Sequence, residues 1–346
     1  MTGEDNMSLV TRVTLKRHRR GHTVIEIIAV FGVLMMLMGT LLPAVGKVRE
    51  AARQLACRNN LRQLGIGSQI HESARGKFPL TRARYFKQQW SGRRLVGAVS
   101  PLQQIAVYSD PGIGGRIPLH DDSGPGFDGP PASSNSVVEE LLKTDIPIFH
   151  CPSDIWLSGS SNYRANVGTG TGVFIRTDSS PWRDPGNGNG AFIHDKPLSS
   201  KDFSDGLSNT CFFGERLIGD GDPSRYRPWC DAAIVAGDIR SLEEARRKCS
   251  SLPSGEHQHH SYLGYSWYWG GWFDAWYNHV LEPNSKVPDC NAGSATLGGG
   301  SGAYSARSYH TVGANFLFAD GSCRLIGANI DDLAYQRLGS RNDGSE

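Results

Sequence analysis

The chain has 346 residues, enough to bury a sizeable core, and an apolar content of 38%, which is ordinary for a globular protein. Its 42 Gly and 18 Pro argue against a helical bundle and for a loop-rich, largely β body. The formal charge of +2 is concentrated at the start, where residues 1–21 carry five Lys/Arg against two Asp/Glu; a near-neutral remainder excludes nucleic acid from the expected partners.

Residues 1–15 are polar and unpatterned. Lys16, Arg17, Arg19 and Arg20 then form a basic cluster ahead of an apolar run from Val24 to Val45, in which Glu26 is the only charge. As a helix those 22 residues extend about 33 Å, enough to span a bilayer. By the positive-inside rule the N-terminus stays cytoplasmic and the body faces outward. Ala44-Val45-Gly46 offers a weak small-residue cleavage site, so a discarded signal peptide is the plain alternative. An acid within an apolar span costs up to roughly 2.5–3.5 kcal/mol at mid-span, a cost with no use in a discarded segment.

Gly21, Thr23, Ile25 and Glu26 resemble the type IV prepilin signal, with His22 standing where that family usually has Phe. The resemblance implies cleavage by a prepilin peptidase between Gly21 and His22, N-methylation of the new terminus, and retention of the helix. It also implies that Glu26 neutralises the α-amino group of a neighbouring subunit during assembly. Pro43, at the outer end of the span, is expected to kink the helix.

Lys47 to Arg75 reads as a continuing amphipathic helix, with Cys57, Leu61 and Leu64 on one face and Val48, Ala52 and Leu55 on another; Gly76 and Pro79 end it. Phe78–Ser136 reads as surface loops because of its Gly/Pro-rich turns. Val137–Leu142 is predicted as a short helix, 209–215 and 231–235 as strands, and 238–248 as an exposed helix. Near the C-terminus, apolar strands flank Asp320-Gly321, a dipeptide suited to a two-residue hairpin turn.

Candidate chemistry is sparse. Glu256, His257, His259 and His260 cluster without zinc-type spacing and read as a solvated loop. Asp202, Asp205 and Glu215 lack EF-hand spacing for calcium. His310 with Asp320, and Ser308 or Ser322 as nucleophile, would make an enzyme, but no Gly-x-Ser-x-Gly surrounds either serine, so His310 reads as structural. Tyr262–Tyr277, rich in tryptophan and tyrosine, reads as core strand and loop, with a glycan- or peptide-binding platform as the alternative. No cofactor or metal is expected.

Across the whole chain the sequence resembles the domain-of-unknown-function 1559 family. Those proteins are prepilin-like, with a C-terminal motif of His, nine residues and Asp-Gly, here His310, Asp320 and Gly321. Further matches are Cys57-Arg-Asn-Asn-Leu-Arg-Gln-Leu, Cys151-Pro-Ser-Asp, Asp205-Gly-Leu-Ser-Asn-Thr210 with Glu215, and Asn278-His-Val-Leu-Glu-Pro-Asn284 ending at Cys290.

The resemblance implies an α+β, pilin-like fold: a long N-terminal transmembrane and amphipathic helix packed on an antiparallel β-sheet, with a loop-rich head. It also implies a leader at 1–21, the helix at 22–76, an extracytoplasmic head at 77–336 and a tail at 337–346. The expected protein is a non-enzymatic subunit of the inner membrane. Its expected partners are the prepilin peptidase and itself or other pilin-like subunits, in a pseudopilus or secretion assembly; the rival is a membrane-tethered binding module. If the body is exported, disulfides form and an odd thiol remains. Connectivity cannot be read from spacing; Cys57 with Cys151, and one bridge among Cys230, Cys249 and Cys290, are the expected pairings.

Overall fold

A computed structural model describes residues 23–90, 93–109, 111–114, 140–173, 188–193, 196–250, 259–292 and 300–344. Residues 1–22, with the expected cleavage pair Gly21 and His22, lie outside the described residues, as do Glu256 and His257.

Helix α1 runs from Val24 to Arg75, 52 residues, and continues through Pro43. It starts on a capping box that the sequence spells as Thr-x-x-Glu. The Thr23 N–H donates to Glu26 Oε2 at 2.9 Å and the Glu26 N–H donates to Thr23 Oγ1 at 3.4 Å. Glu26 therefore has a local role besides any role in assembly. The chain divides into two compact units, residues 1–49 and 50–346. In the first, every described residue is exposed, including Ile28, Phe31, Met36 and Leu42.

In the second unit the same helix turns Cys57, Leu61 and Leu64 into the core, all with 0% exposure, while Leu55 stays exposed. Gly65 and Gly67 lie on the buried face as well. Gly65 brings the helix close to β11, since a β-carbon at that position would lie 3.0 Å from Leu317 Cδ1.

Strands β1 (Arg82–Trp90) and β2 (Arg93–Val99) form an antiparallel hairpin, and α2 follows at Pro101–Ser109. Both fall where the sequence suggests surface loop. Proline at the first helical position is preorganised for α2, Ser100 Oγ accepts the Leu102 N–H, and Leu102, Ile105 and Ala106 face inward at helical spacing. Of the loops expected across 78–136, residues 115–136 lie outside the described residues, and only 140–142 of the helix expected at 137–142 is described, as helical.

The remaining strands are β3 (Tyr163–Asn166), β4 (Gly172–Val173), β5 (Cys211–Glu215), β6 (Ala232–Val235), β7 (His259–His260), β8 (Trp276–Tyr277), β9 (Asp289–Ala292), β10 (Gly300–Ala303), β11 (Gly313–Phe318) and β12 (Cys323–Gly327). They form two five-stranded sheets, ordered β4-β10-β9-β6-β7 and β12-β11-β5-β3-β8. The class is α+β with a long N-terminal helix, as expected, but each sheet is mixed, because β6 pairs with β9 and β3 with β8 in parallel. Parallel pairing needs long crossovers rather than hairpins, and the chain supplies them between β3 and β8 and between β6 and β9. Helix α3 (Leu242–Ser250) begins later than the predicted 238, after Ser241 Oγ accepts the Glu244 N–H. Helix α4 (Asp332–Gly339) is capped by Asp331.

The β11–β12 hairpin is present, with a tighter specification than the sequence suggests. Gly321 has φ +87° while Asp320 does not have positive φ, and the Gly321 N–H donates to the Phe318 carbonyl at 2.9 Å. The loop thus spans Ala319–Gly321, three residues with glycine in the left-handed position, rather than a two-residue turn. Trp267, Trp272 and Trp276 are fully buried, and Trp272 stacks on Tyr304 at 5.1 Å, so most of the aromatic segment is core.

Two disulfides form, Cys57–Cys151 and Cys249–Cys290, as expected for the first pairing and for one of the alternatives in the second. Cys230 has no disulfide partner; with Cys211 and Cys323 it makes three buried thiols where one was expected.

Candidate functional site around His310

The C-terminal motif joins the helix to the sheet. His310 lies three residues before β11 and is 3% exposed. Its Nδ1 donates to Glu50 Oε1 at 2.6 Å, and its Nε2 lies 3.6 Å from Glu215 Oε1 and 3.7 Å from Cys151 Sγ. Glu50 and Cys57 stand seven residues apart on α1, two turns, and so share one face. Glu215 ends β5, and its two carboxylate oxygens accept the backbone and side-chain N–H groups of Asn315 on β11 at 2.8 and 2.9 Å. Cys151 follows a single 3₁₀ turn at Pro147–Phe149. Neighbouring hydrogen bonds fix the frame: the Tyr163 hydroxyl donates to the Cys57 carbonyl at 3.2 Å, and the Cys151 N–H donates to Asn162 Oδ1 at 2.9 Å.

The electrostatics follow from this arrangement. Burial pushes the His310 imidazole down, but hydrogen bonds and charge from Glu215 and Glu50 outweigh it and hold its pKa above the ordinary value. Burial pushes Glu50 up, and His310 with Arg53 more than reverses this, so its carboxyl titrates below the ordinary range. Arg53 pairs with Glu50 at 2.7 Å. Behind the cluster, Asp289 is held by Arg216 at 2.8 Å and by Arg307 at 2.9 Å, an ion triad whose members are at most 1% exposed.

Asp320 and Gly321 lie at the other end of β11. Asp320 Oδ1 accepts the Ser322 N–H at 2.8 Å. A β-carbon on Gly321 would lie 3.2 Å from Gln69 Nε2, and one on Gly65 would lie 3.4 Å from Gly321 Cα. The turn therefore rests on α1 near Gly65 and Gln69, whereas His310 holds α1 at Glu50. A six-residue strand covers about 20 Å, close to the ~22 Å of helix between Glu50 and Gly65. The nine-residue spacing is thus the reach of a strand fastened to one helix at two points. His310 and Asp320 are not a base and its orienter. Ser308 Oγ accepts the His310 N–H at 3.2 Å, and Ser322 sits in the turn.

The other candidates do not converge. Asp202 closes a capping box with Ser199, Asp205 accepts the Asp343 N–H at 2.7 Å, and Glu215 is committed to Asn315. His259 lies 3.6 Å from Asp231, and His260 packs on Phe273 with burial pushing its pKa down to about 4. A donor set that local spacing does not reveal comes together instead: Cys57, Cys151, Glu215 and His310, all buried, with one donor atom from each within 4.8 Å of the others. The only sequence signal for it is that all four positions fall within the segments that carry the family resemblance.

Glu26 lies in the first turn of α1, and Pro43 inside it. This helix is long and apolar enough to cross a membrane by length and composition, and it fits a single-pass anchor. No curated protein and no solved structure matches the chain. The family described as "Protein of unknown function (DUF1559)" matches residues 46–333, most of the chain and all four members of the donor set. The protein therefore belongs to the DUF1559 family.

Proposed function

We propose that the protein is a non-enzymatic, pilin-like structural subunit, cut after Gly21 by a prepilin peptidase and held in the inner membrane by residues 22–45. Its N-terminus lies on the cytoplasmic side and its body outside, and Glu26 joins it to further copies or to other pilin-like subunits of a pseudopilus or related envelope assembly. The observation that carries this reading is the helix α1. From Thr23 to Arg49 it is exposed on every side and almost wholly apolar up to Val45, with an acid three residues from its start. A soluble body has no use for such a surface. The basic cluster at 16–20 favours the stated orientation. Burial of Trp267, Trp272 and Trp276 leaves the aromatic segment little to offer a glycan, which weighs against the tethered binding module.

Glu26→Gln separates capping from charge, because glutamine also completes a capping box but carries no charge. In membranes expressing this variant, the protein should remain anchored while its cross-linking to neighbouring subunits is lost. Undiminished cross-linking would make the helix a simple tether.

A further inference from the structure

Cys57 and Cys151 are covalently joined, yet the groups around them stand where a metal centre would place them. Tetrahedral zinc, with bonds of about 2.0–2.3 Å, separates its donors by roughly 3.3–3.8 Å. His310 Nε2 lies 3.7 Å from Cys151 Sγ and 3.6 Å from Glu215 Oε1. The supports that metal ligands require are in place as well. Glu50 accepts the Nδ1–H of His310, which turns the Nε2 lone pair toward the sulfurs, and Asn315 holds both oxygens of Glu215. Two sulfurs with one imidazole and one carboxylate favour a borderline-soft ion over magnesium or calcium.

We propose that, when the Cys57–Cys151 bond is reduced, Cys57, Cys151, His310 and Glu215 bind one zinc-type divalent cation, so that these residues hold either a disulfide or a metal. A dithiol reductant supplies two electrons and two protons and leaves as its own disulfide, giving Cys57 and Cys151 as thiols. Binding of the ion then releases both thiol protons and any proton on His310 Nε2. In the reverse direction an oxidised dithiol accepts the two electrons from the thiolates and two protons from solvent, the sulfur–sulfur bond re-forms, and the ion leaves because neither sulfur is a thiolate. Every newly made chain begins in the reduced state, so the site is open to metal before the bond forms.

The test uses the full chain in detergent, reduced with a phosphine, freed of reductant under anaerobic conditions and titrated with cobalt(II). One equivalent should give thiolate charge-transfer and tetrahedral d–d absorption, zinc should displace it, and the oxidised chain should give neither band. X-ray absorption of the zinc-loaded wild-type chain should show two sulfur and two nitrogen or oxygen donors, a readout that needs no variant to fold. Glu50→Ala should weaken zinc about 10–100-fold through loss of the orienting carboxylate. Absence of a saturable tetrahedral cobalt spectrum in the reduced chain would overturn the proposal. So would a sulfur count other than two, or unchanged affinity in the Cys57→Ser, Cys151→Ser double variant.

Discussion

His310 Nδ1 donates to Glu50 Oε1 at 2.6 Å, a hydrogen bond between residues 260 positions apart that fastens the start of β11 to helix α1. Glu50 is half-buried, whereas the other edge of the His310 ring meets the fully buried Glu215. His310→Ala removes the hydrogen bond to the Glu50 carboxylate and the ring packed beside Glu215, at a cost of about 1.5–3 kcal/mol. Asp320→Ala removes only a turn hydrogen bond, worth about 0.5–1.5 kcal/mol. Denaturant unfolding of the full chain in detergent should rank the two variants in that order. Equal effects would show that the His310 end of the strand is not the stronger fastening.

Gly321 tests the other end. Its φ of +87° lies in the left-handed region, and the Gln69 amide stands 3.2 Å from where a β-carbon would sit. Gly321→Ala should cost about 1–2 kcal/mol from backbone strain. Gly321→Asn, better suited to that conformation, should cost less. Equal melting temperatures for wild type and Gly321→Ala would contradict the turn described above.

His279 makes the protein acid-sensitive. It is fully buried, stacks on Tyr335 at 4.2 Å, and its Nδ1 lies 2.9 Å from the Tyr335 carbonyl; burial pushes its pKa down to about 3, with the carbonyl pulling weakly the other way. A depressed folded pKa means that the unfolded chain takes up a proton near the ordinary histidine value while the folded chain does not. Its contribution is therefore fully present above about pH 6.5 and is lost as pH falls toward 3. The slope approaches 1.4 kcal/mol per pH unit within that window. Unfolding free energies from pH 7 to 4 should fall less steeply in His279→Phe than in wild type, and parallel curves would rule the assignment out.

The two disulfides close loops of different length, with sequence separations of 94 and 41. Loop-closure entropy gives each about 2–4 kcal/mol, with the longer worth more. Cys57→Ser, Cys151→Ser should therefore lower the melting temperature further than Cys249→Ser, Cys290→Ser. The reverse order would mean that native-state contacts outweigh the constraint on the unfolded chain.

The N-terminal helix is legible in the sequence because a single acid in a 22-residue apolar run admits few other readings. The β11–β12 hairpin is legible because Asp-Gly between apolar runs encodes a turn locally. The capping role of Glu26 is equally local, spelled by Thr23-x-x-Glu26, but the membrane context draws attention to its charge instead. The hairpin at 82–99 and helix α2 are obscured by the Gly/Pro-rich stretches that follow, although Leu102, Ile105 and Ala106 carry the helical period. The parallel pairings that make both sheets mixed depend on contacts between distant segments, which no local pattern encodes. The same holds for the donor set, whose members at 57, 151, 215 and 310 come from a helix, two loops and a strand. The ligand types that cluster in sequence lie elsewhere, at Glu256, His257, His259 and His260.

Processing of the leader is the claim on which the subunit reading stands, and the N-terminal residue of the protein isolated from membranes tests it most directly. Sequencing or intact-mass measurement should find His22 first, with or without a methyl group. An intact Met1, or a terminus after Gly46, would contradict it.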